Sequence, residues 1–334
     1  MTESTVDTEV AVIARECTAV LDSVGTAVVG RAGTLRLALA ALLAGGHVLF
    51  EDVPGLGKTL MARSIAQAVG LEFQRLQCTP DLLPADVTGS FLYDPASREF
   101  EFRKGPVFAG LLLADEINRT TPKTQSALLE AMQERQVTVE GRTFPLPRPF
   151  HVLATANPIE YEGTYPLPEA QLDRFLLRLD VGYPPPLEEA EVLRRRLARQ
   201  REETSVERVL DASRFAELQA GVERVAVDED VLRYCVDLTV ATRSHPSVDV
   251  GASPRGALAL VLVARALAVL DGRDFVLPED VKACAVAALA HRLTLRAETW
   301  TSGLTDVQVI TELMDKVPGP AATRTTRPVQ PARP

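Results

Sequence analysis

The sequence predicts an α/β fold: a parallel sheet covered on both faces, followed by a part made of helices alone. Three observations carry this. Between residues 35 and 181 short apolar runs alternate with helix-period segments, and several runs are apolar throughout, as strands buried on both faces are. One run, His47-Val48-Leu49-Phe50, feeds a glycine-rich turn that opens straight into a helix. After Tyr183-Pro184-Pro185-Pro186 the alternation stops, and only helical periods follow. These breaks divide the chain into residues 1–27, 28–182, 183–316 and 317–334.

Taken in order, residues 1–26 are mildly polar, with a weakly amphipathic segment from Val10 to Leu21. Residues 35–43 form a strong helix ended by Gly45-Gly46. Beyond the glycine-rich turn, Leu60, Ala62, Ile65, Ala66 and Val69 recur near helical spacing. Residues 71–76 alternate as a strand. Phe91-Leu92-Tyr93 and Glu99-Phe100-Glu101-Phe102 flank a proline turn and read as a hairpin. Residues 111–114 are a wholly apolar strand, and Pro122 opens a helix that runs to Arg135. Val137-Thr138-Val139 and Arg142-Thr143-Phe144, joined by Glu140-Gly141, read as a second hairpin. Residues 151–156 and 175–181 complete the strands. Helices are then expected over residues 187–203, 213–222, 228–243, 254–270, 278–293 and 306–316. Residues 317–334, rich in Pro, Thr and Arg, are expected to be disordered.

A hydrophobic content of 46% is ample for a packed core. The net charge of −9 argues against non-specific nucleic-acid binding, which needs a basic face. Four scattered cysteines, without a C-x-x-C, read as reduced thiols. No signal-peptide pattern is seen, and the most apolar stretch, residues 257–270, is interrupted by Arg265 and too short to span a bilayer. A cytoplasmic protein without membrane insertion is the expectation.

The turn itself, Phe50-Glu51-Asp52-Val53-Pro54-Gly55-Leu56-Gly57-Lys58-Thr59, has strand before it and helix after it, the context a phosphate-binding loop requires. Backbone N–H groups of Pro54-Gly55-Leu56-Gly57-Lys58-Thr59-Leu60 (proline excepted) and the positive end of the helix suit a polyphosphate. Lys58 opposes the helix dipole unless an anion is bound, and the Thr59 hydroxyl suits Mg²⁺. Asp52 stands where the pattern wants glycine, and Asp tolerates a left-handed backbone better than most residues. At the end of the apolar strand 111–114, Asp115 and Glu116 reach the crevice where α/β sheets bind ligands. There Asp115 can hold Mg²⁺, directly or through its waters, while Glu116 orients an attacking water.

From Asp115-Glu116-Ile117-Asn118-Arg119 through Glu130-Ala131-Met132-Gln133-Glu134, the sequence resembles the MoxR family of AAA+ ATPases. The likeness continues in Val152-Leu153-Ala154-Thr155-Ala156-Asn157-Pro158, in Gly163-Thr164-Tyr165-Pro166 through Leu172-Asp173-Arg174-Phe175, and in Ser253-Pro254-Arg255. It covers about residues 28–295, leaving an N-terminal helical extension (1–27) and a tail (317–334) outside. It implies an AAA+ P-loop NTPase core over residues 28–182, an all-helical lid over 183–316, and ATP with Mg²⁺ as ligands. It implies roles too. Asn157 is similar to the first sensor, although an Asn before Pro158 also suits an ordinary turn. Arg174 is similar to the arginine finger that reaches a neighbouring subunit's nucleotide, although a surface ion pair with Asp173 would also suit it. Arg255, a cation in the first turn of a helix that the dipole disfavours, is similar to the second sensor, in its own subunit or the neighbour's. Val28-Val29-Gly30-Arg31 resembles the segment that frames the adenine. The two hairpins resemble insertions facing a pore or a client, or are plain connections. The resemblance implies a homo-oligomer, a hexameric ring, acting on a client protein, with von Willebrand factor A domain proteins as partners. Against this chaperone-like remodelling ATPase stand a nucleotide-dependent regulatory module without turnover, and a nucleic-acid motor, which the acidic balance disfavours.

Overall fold

A computed structural model describes residues 3–53, 55–158, 163–201 and 204–320. Helix α1 (Glu3–Gly25) precedes α2 (Ala32–Leu43), β1 (Val48–Glu51), α3 (Lys58–Ala68) and β2 (Phe73–Gln77). A short α4 (Pro84–Thr88), not expected from the sequence, leads into the hairpin of β3 (Gly89–Asp94) and β4 (Glu99–Lys104). Then come β5 (Leu111–Asp115), α5 (Pro122–Glu134), the hairpin of β6 (Gln136–Val139) and β7 (Arg142–Pro145), β8 (His151–Ala156), α6 (Glu169–Leu172) and β9 (Leu177–Leu179). The helical part comprises α7 (Pro186–Arg199), α8 (Ala212–Val222), α9 (Glu229–Ser244), α10 (Pro254–Leu270), α11 (Pro278–Leu289) and α12 (Asp306–Lys316). It also contains a small antiparallel pair, β10 (Val248–Val250) and β11 (Thr294–Leu295), so the expectation of helices alone is corrected. Those strands are too short to show a period in the sequence.

Five strands form the sheet in the order β2-β5-β8-β1-β9, every pairing parallel. Alternation sends successive side chains to opposite faces. Val48, Phe50, Leu111, Leu113 and Leu153 join the core shared with α1, α2, α3 and the helical part. Leu49, Leu112, Ala114, Val152 and Ala154 join a second core under α5, with Leu128, Leu129 and Met132. Both faces are covered, which is why β5 is apolar up to Asp115 and β8 is apolar between His151 and Thr155.

The N-terminal helix is longer than the sequence suggested. Val10, Ile13, Cys17, Val20 and Val24, spaced three or four apart, are all buried. They pack α1 against α2, α3, α8 and α10. Arg178 on β9 joins Glu51, at the end of β1 (3.1 Å), to Asp306 in the first turn of α12. The sheet edge beside the loop after β1 is thereby tied to the last helix.

Two buried histidines cross-link the sheet's base. His47 Nδ1 accepts from Val152 N (2.9 Å) and its Nε2 donates to Met132 O (3.2 Å). His151 Nδ1 donates to Gly46 O (2.8 Å), and its Nε2 accepts from Gln219 Nε2 (3.0 Å). These partners fix one tautomer for each neutral ring. Burial, joined by the neighbouring His151, pushes His47 down to about 3, and burial pushes His151 down to about 4. The unfolded rings titrate near 6.5, so between those values the unfolded chain binds more protons. Their stabilisation is complete above pH 6.5 and is lost as pH falls toward 4. Each ring is expected to cost roughly 2 kcal/mol of stability by pH 5. Urea unfolding at pH 7.5 and pH 5 checks this, and equal unfolding free energies at the two values would refute it.

Candidate active site

The loop after β1 is shaped by Gly55 and Gly57, at φ +85° and +83°, in the left-handed region that glycine occupies at least cost. Gly57 is the residue before α3. A helix leaves its first N–H groups without intrahelical partners; in α3 they belong to Lys58, Thr59 and Leu60, and all three residues line one cavity of about 460 Å³. Leu56 instead packs its side chain against the core, and Pro54 lies outside the described residues. Lys58 is 8% exposed, and its ammonium donates to Asp52 O (2.6 Å) and Val53 O (3.1 Å). Burial lowers its pKa, opposed by the charges of Asp52, Asp115 and Glu116.

Asp52 is not left-handed, which corrects the reason the sequence suggested for it. Its side chain is a brace. Oδ1 accepts from Val53 N (2.7 Å), and Oδ2 accepts from Val181 N (3.0 Å) and Gly182 N, just beyond β9. Arg31, 9% exposed, donates to Gly182 O. The segment that resembles the adenine frame is therefore joined through Gly182 to the base of the loop.

Strand order brings the remaining groups to the same cavity, because β8 lies between β1 and β5. Asp115, Glu116, Thr155 and Asn157 all line it. Glu116 is left-handed at φ +59°, a strained conformation for a side chain of its size, of the kind that clusters at functional sites. Thr155, fully buried and not singled out from the sequence, fixes both carboxylate residues. Its Oγ1 donates to Asp115 Oδ1 (2.7 Å) and accepts from Glu116 N (2.8 Å). From β2, Arg75 holds Asp115 Oδ2 through Nε (3.0 Å) and Nη2 (2.6 Å). Gln77 Nε2 (3.0 Å) and Arg119 Nη1 (3.1 Å) hold Glu116 Oε2. The donor set fits a nucleotide with a divalent cation: backbone N–H groups and an ammonium at one end, and the hard oxygens of Thr59 and Asp115 beside them.

Thr155→Val keeps the shape and removes the hydroxyl. It leaves Glu116 N unpaired and frees Asp115 Oδ1, a loss of about 1–3 kcal/mol. Turnover of ATP is expected to fall roughly ten- to hundredfold. Steady-state kinetics of the variant checks this, and an unchanged kcat would remove Thr155 from the site.

Arg174 and Arg255 stand apart from that cavity's lining. Arg174 follows α6, and its side chain makes no hydrogen bond or ion pair among the described residues. Asp173 is not its partner. Asp173 Oδ1 binds Arg292 Nε (2.7 Å), and Oδ2 accepts from Ser253 Oγ (3.1 Å) and lies 4.0 Å from Arg255 Nη1. Ser253 caps α10 by accepting from Arg255 N (3.2 Å). Arg255 thus lies beside the carboxylate of the residue that precedes Arg174 in the chain.

The two hairpins pack on each other. Phe102 stacks on Phe144 with centroids 4.0 Å apart, and Phe91 lies beside both. The same face of the first hairpin continues to Tyr93 and Phe100, paired at 5.5 Å and exposed at 53% and 68%.

Comparison with known proteins places these features. Residues 47–177 match the ATPase family associated with various cellular activities (AAA), and residues 240–313 match the AAA lid domain. The chain is 49% identical over 300 residues to the uncharacterized protein YeaC of Bacillus subtilis (strain 168), covering 90% of this chain and 93% of that one. It is 43% identical over 301 residues to Chaperone MoxR1 of Mycobacterium tuberculosis, covering 87% and 78%. It is 33% identical over 338 residues to Protein MoxR of Paracoccus denitrificans, covering 92% and 96%. The crystal structure of a candidate ATPase from Cytophaga hutchinsonii superposes with a TM-score of 0.88 at 40% identity, covering 95% of this chain and 99% of that one.

Proposed function

Since the chain belongs to the MoxR family of AAA+ ATPases, we propose that it hydrolyses ATP with Mg²⁺ as a homo-oligomeric ring and uses the turnover to remodel or mature a client protein. The observation that carries this is a division of parts. Lys58, Thr59, Asp115, Glu116 and Asn157 surround one cavity, while Arg174 is not among its lining and its side chain has no hydrogen bond or ion pair among the described residues. In this reading Gly55 to Leu60 and Lys58 cradle the phosphates, and Thr59 and Asp115 hold Mg²⁺. The metal, when bound, neutralises charge on the β- and γ-phosphates. Glu116 takes the attacking water, Asn157 positions it, and Arg174 completes the site of the adjoining copy. Arg255, beside Asp173, is assigned to that same neighbouring site.

Assembly has a second support in α7. One polar residue of this helix, Arg195, is turned inward and donates to Gly25 O (2.9 Å) and Thr26 O (3.0 Å), while Glu189, Arg194 and Arg196 stay exposed. Leu187, Leu193 and Leu197 are exposed at 82%, 61% and 75%, more apolar surface than one helix of a chain acting alone usually leaves to water. The exposed Tyr93–Phe100 pair is suited to gripping an extended client segment. The family resemblance extends this to a hexamer, to a von Willebrand factor A domain partner and to a cytoplasmic location. Among the described residues no helix is long and apolar enough to cross a membrane.

The test is ATP turnover with Mg²⁺ across a range of protein concentrations, against a Glu116→Gln control. Turnover per chain is expected to rise as the protein assembles and to vanish in the control. Binding of ATP without turnover in the assembled protein would leave a nucleotide-dependent regulatory module in its place.

A further inference from the structure

Arg292 is 3% exposed at its side chain, and its whole guanidinium is spent on one segment and its own helix end. Nε donates to Asp173 Oδ1 (2.7 Å). Nη2 donates to Phe175 O (2.8 Å) and Asp173 O (3.3 Å), and Nη1 to Leu176 O (3.3 Å) and to Ala288 O. The two carbonyls and the carboxylate nearest Arg174 in the chain are thus gripped from the helical lid by a single rigid fork. Lysine, a point charge on a flexible stem, cannot reproduce that geometry. Ser253 and Arg255 meet the same Asp173 carboxylate, so the lid reaches this segment from two elements. Arg174 itself is half-buried, and its side chain has no hydrogen bond or ion pair of its own among the described residues.

We propose that Arg292 is a positioning residue for the neighbouring copy's site: by clamping the backbone on both sides of Arg174, it aims that guanidinium outward and couples its aim to the lid. The inference rests on the proposed shared site. It differs from a plain core–lid staple in where the damage is felt. A staple serves its own chain, whereas an aiming device serves the pocket next door. Loss of aim spares the variant's own pocket and withholds Arg174 from its neighbour's.

The experiment uses full-length chains in pairs. Arg292→Ala is expected to lower kcat at least tenfold while KM for ATP stays within about threefold. Mixed one to one with Lys58→Ala, whose pocket is dead but whose Arg174 segment is intact, it is expected to regain activity. The gain should approach roughly a quarter of parental turnover, the share of interfaces in a random ring that join an intact pocket to an intact segment. Arg174→Ala mixed with Lys58→Ala should regain as much, and Arg292→Ala mixed with Arg174→Ala should regain nothing. An unchanged kcat for Arg292→Ala overturns the inference. So does a mixture that stays inactive while the Arg174→Ala mixture recovers, since Arg292 would then act within its own chain. If neither mixture recovers, the shared site itself is wrong. Should Arg292→Ala lose nucleotide binding through misfolding, Asp173→Asn removes the carboxylate gripped by Nε and must give the same fall in kcat and the same recovery; otherwise the inference fails.

Discussion

Lys58→Ala is expected to lower ATP affinity by about 10²–10⁴-fold while leaving the fold in place. Lys58 is 8% exposed and lies at the N-terminal end of α3, with its ammonium on the carbonyls of the loop. Among the described residues it is satisfied only by the carbonyls of Asp52 and Val53, so its present bonds are those of a group held within the loop. Charge-assisted hydrogen bonds to phosphate contribute roughly 1.5–3 kcal/mol each, and two of them account for the expected loss. The fold should survive because the variant removes a cation whose burial is itself unfavourable, as the lowered pKa of Lys58 indicates. Asp52 continues to brace the loop against Val181 and Gly182. Titration with a fluorescent ATP analogue, alongside thermal unfolding, measures both halves. Affinity within threefold of the parent would mean that the cavity beside Asp115 and Glu116 is not where the nucleotide binds.

What the sequence made legible follows how local each signal is. The loop, the carboxylate pair and Asn157 are short contiguous motifs at the ends of apolar strands, and strand plus turn plus helix can be read within a dozen residues. The parallel sheet is legible for the same reason, since the middles of β5 and β8 are apolar runs. Groups whose partners lie far along the chain were not. Asp52 finds its role 129 and 130 residues away, at Val181 and Gly182, so its replacement of glycine looked like a question of backbone tolerance. Arg75 and Gln77 reach the site only because β2 pairs with β5, placing Gln77 opposite Asp115, and strand order is not written in any one strand. Thr155 stood inside a recognised stretch, yet as a strand residue it resembled core. Arg292 ends a helical stretch where a cation suits the helix dipole, and nothing near it in sequence points to Asp173, 119 residues earlier. Helix α7 shows the same limit from the other side. Periodicity reveals that a helix has two unlike faces, but not which one the chain keeps for itself.

Arg174→Ala is the complementary prediction, with binding kept and turnover lost. Its side chain does not line the cavity that holds Lys58, Asp115 and Glu116, so its removal takes nothing from the pocket of its own chain. The loop that carries it should hold its shape, because Arg292, His291 and Ser253 bind the flanking backbone and Asp173 rather than Arg174 itself. A cation supplied to a phosphoryl group in transfer is worth about 10³–10⁵ in rate, because it meets charge that develops only in the transition state. A fall in kcat of that order, with ATP affinity within a few-fold of the parent, is therefore the expected outcome of steady-state kinetics on the assembled protein. The alternative reading of this residue, an ion pair with Asp173, has lost its partner: that carboxylate is occupied by Arg292 and Ser253. If the assembled variant turns ATP over at the parental rate, each chain holds a complete site. The exposed leucines of α7 would then be the remaining argument for a ring, with no chemistry to require one.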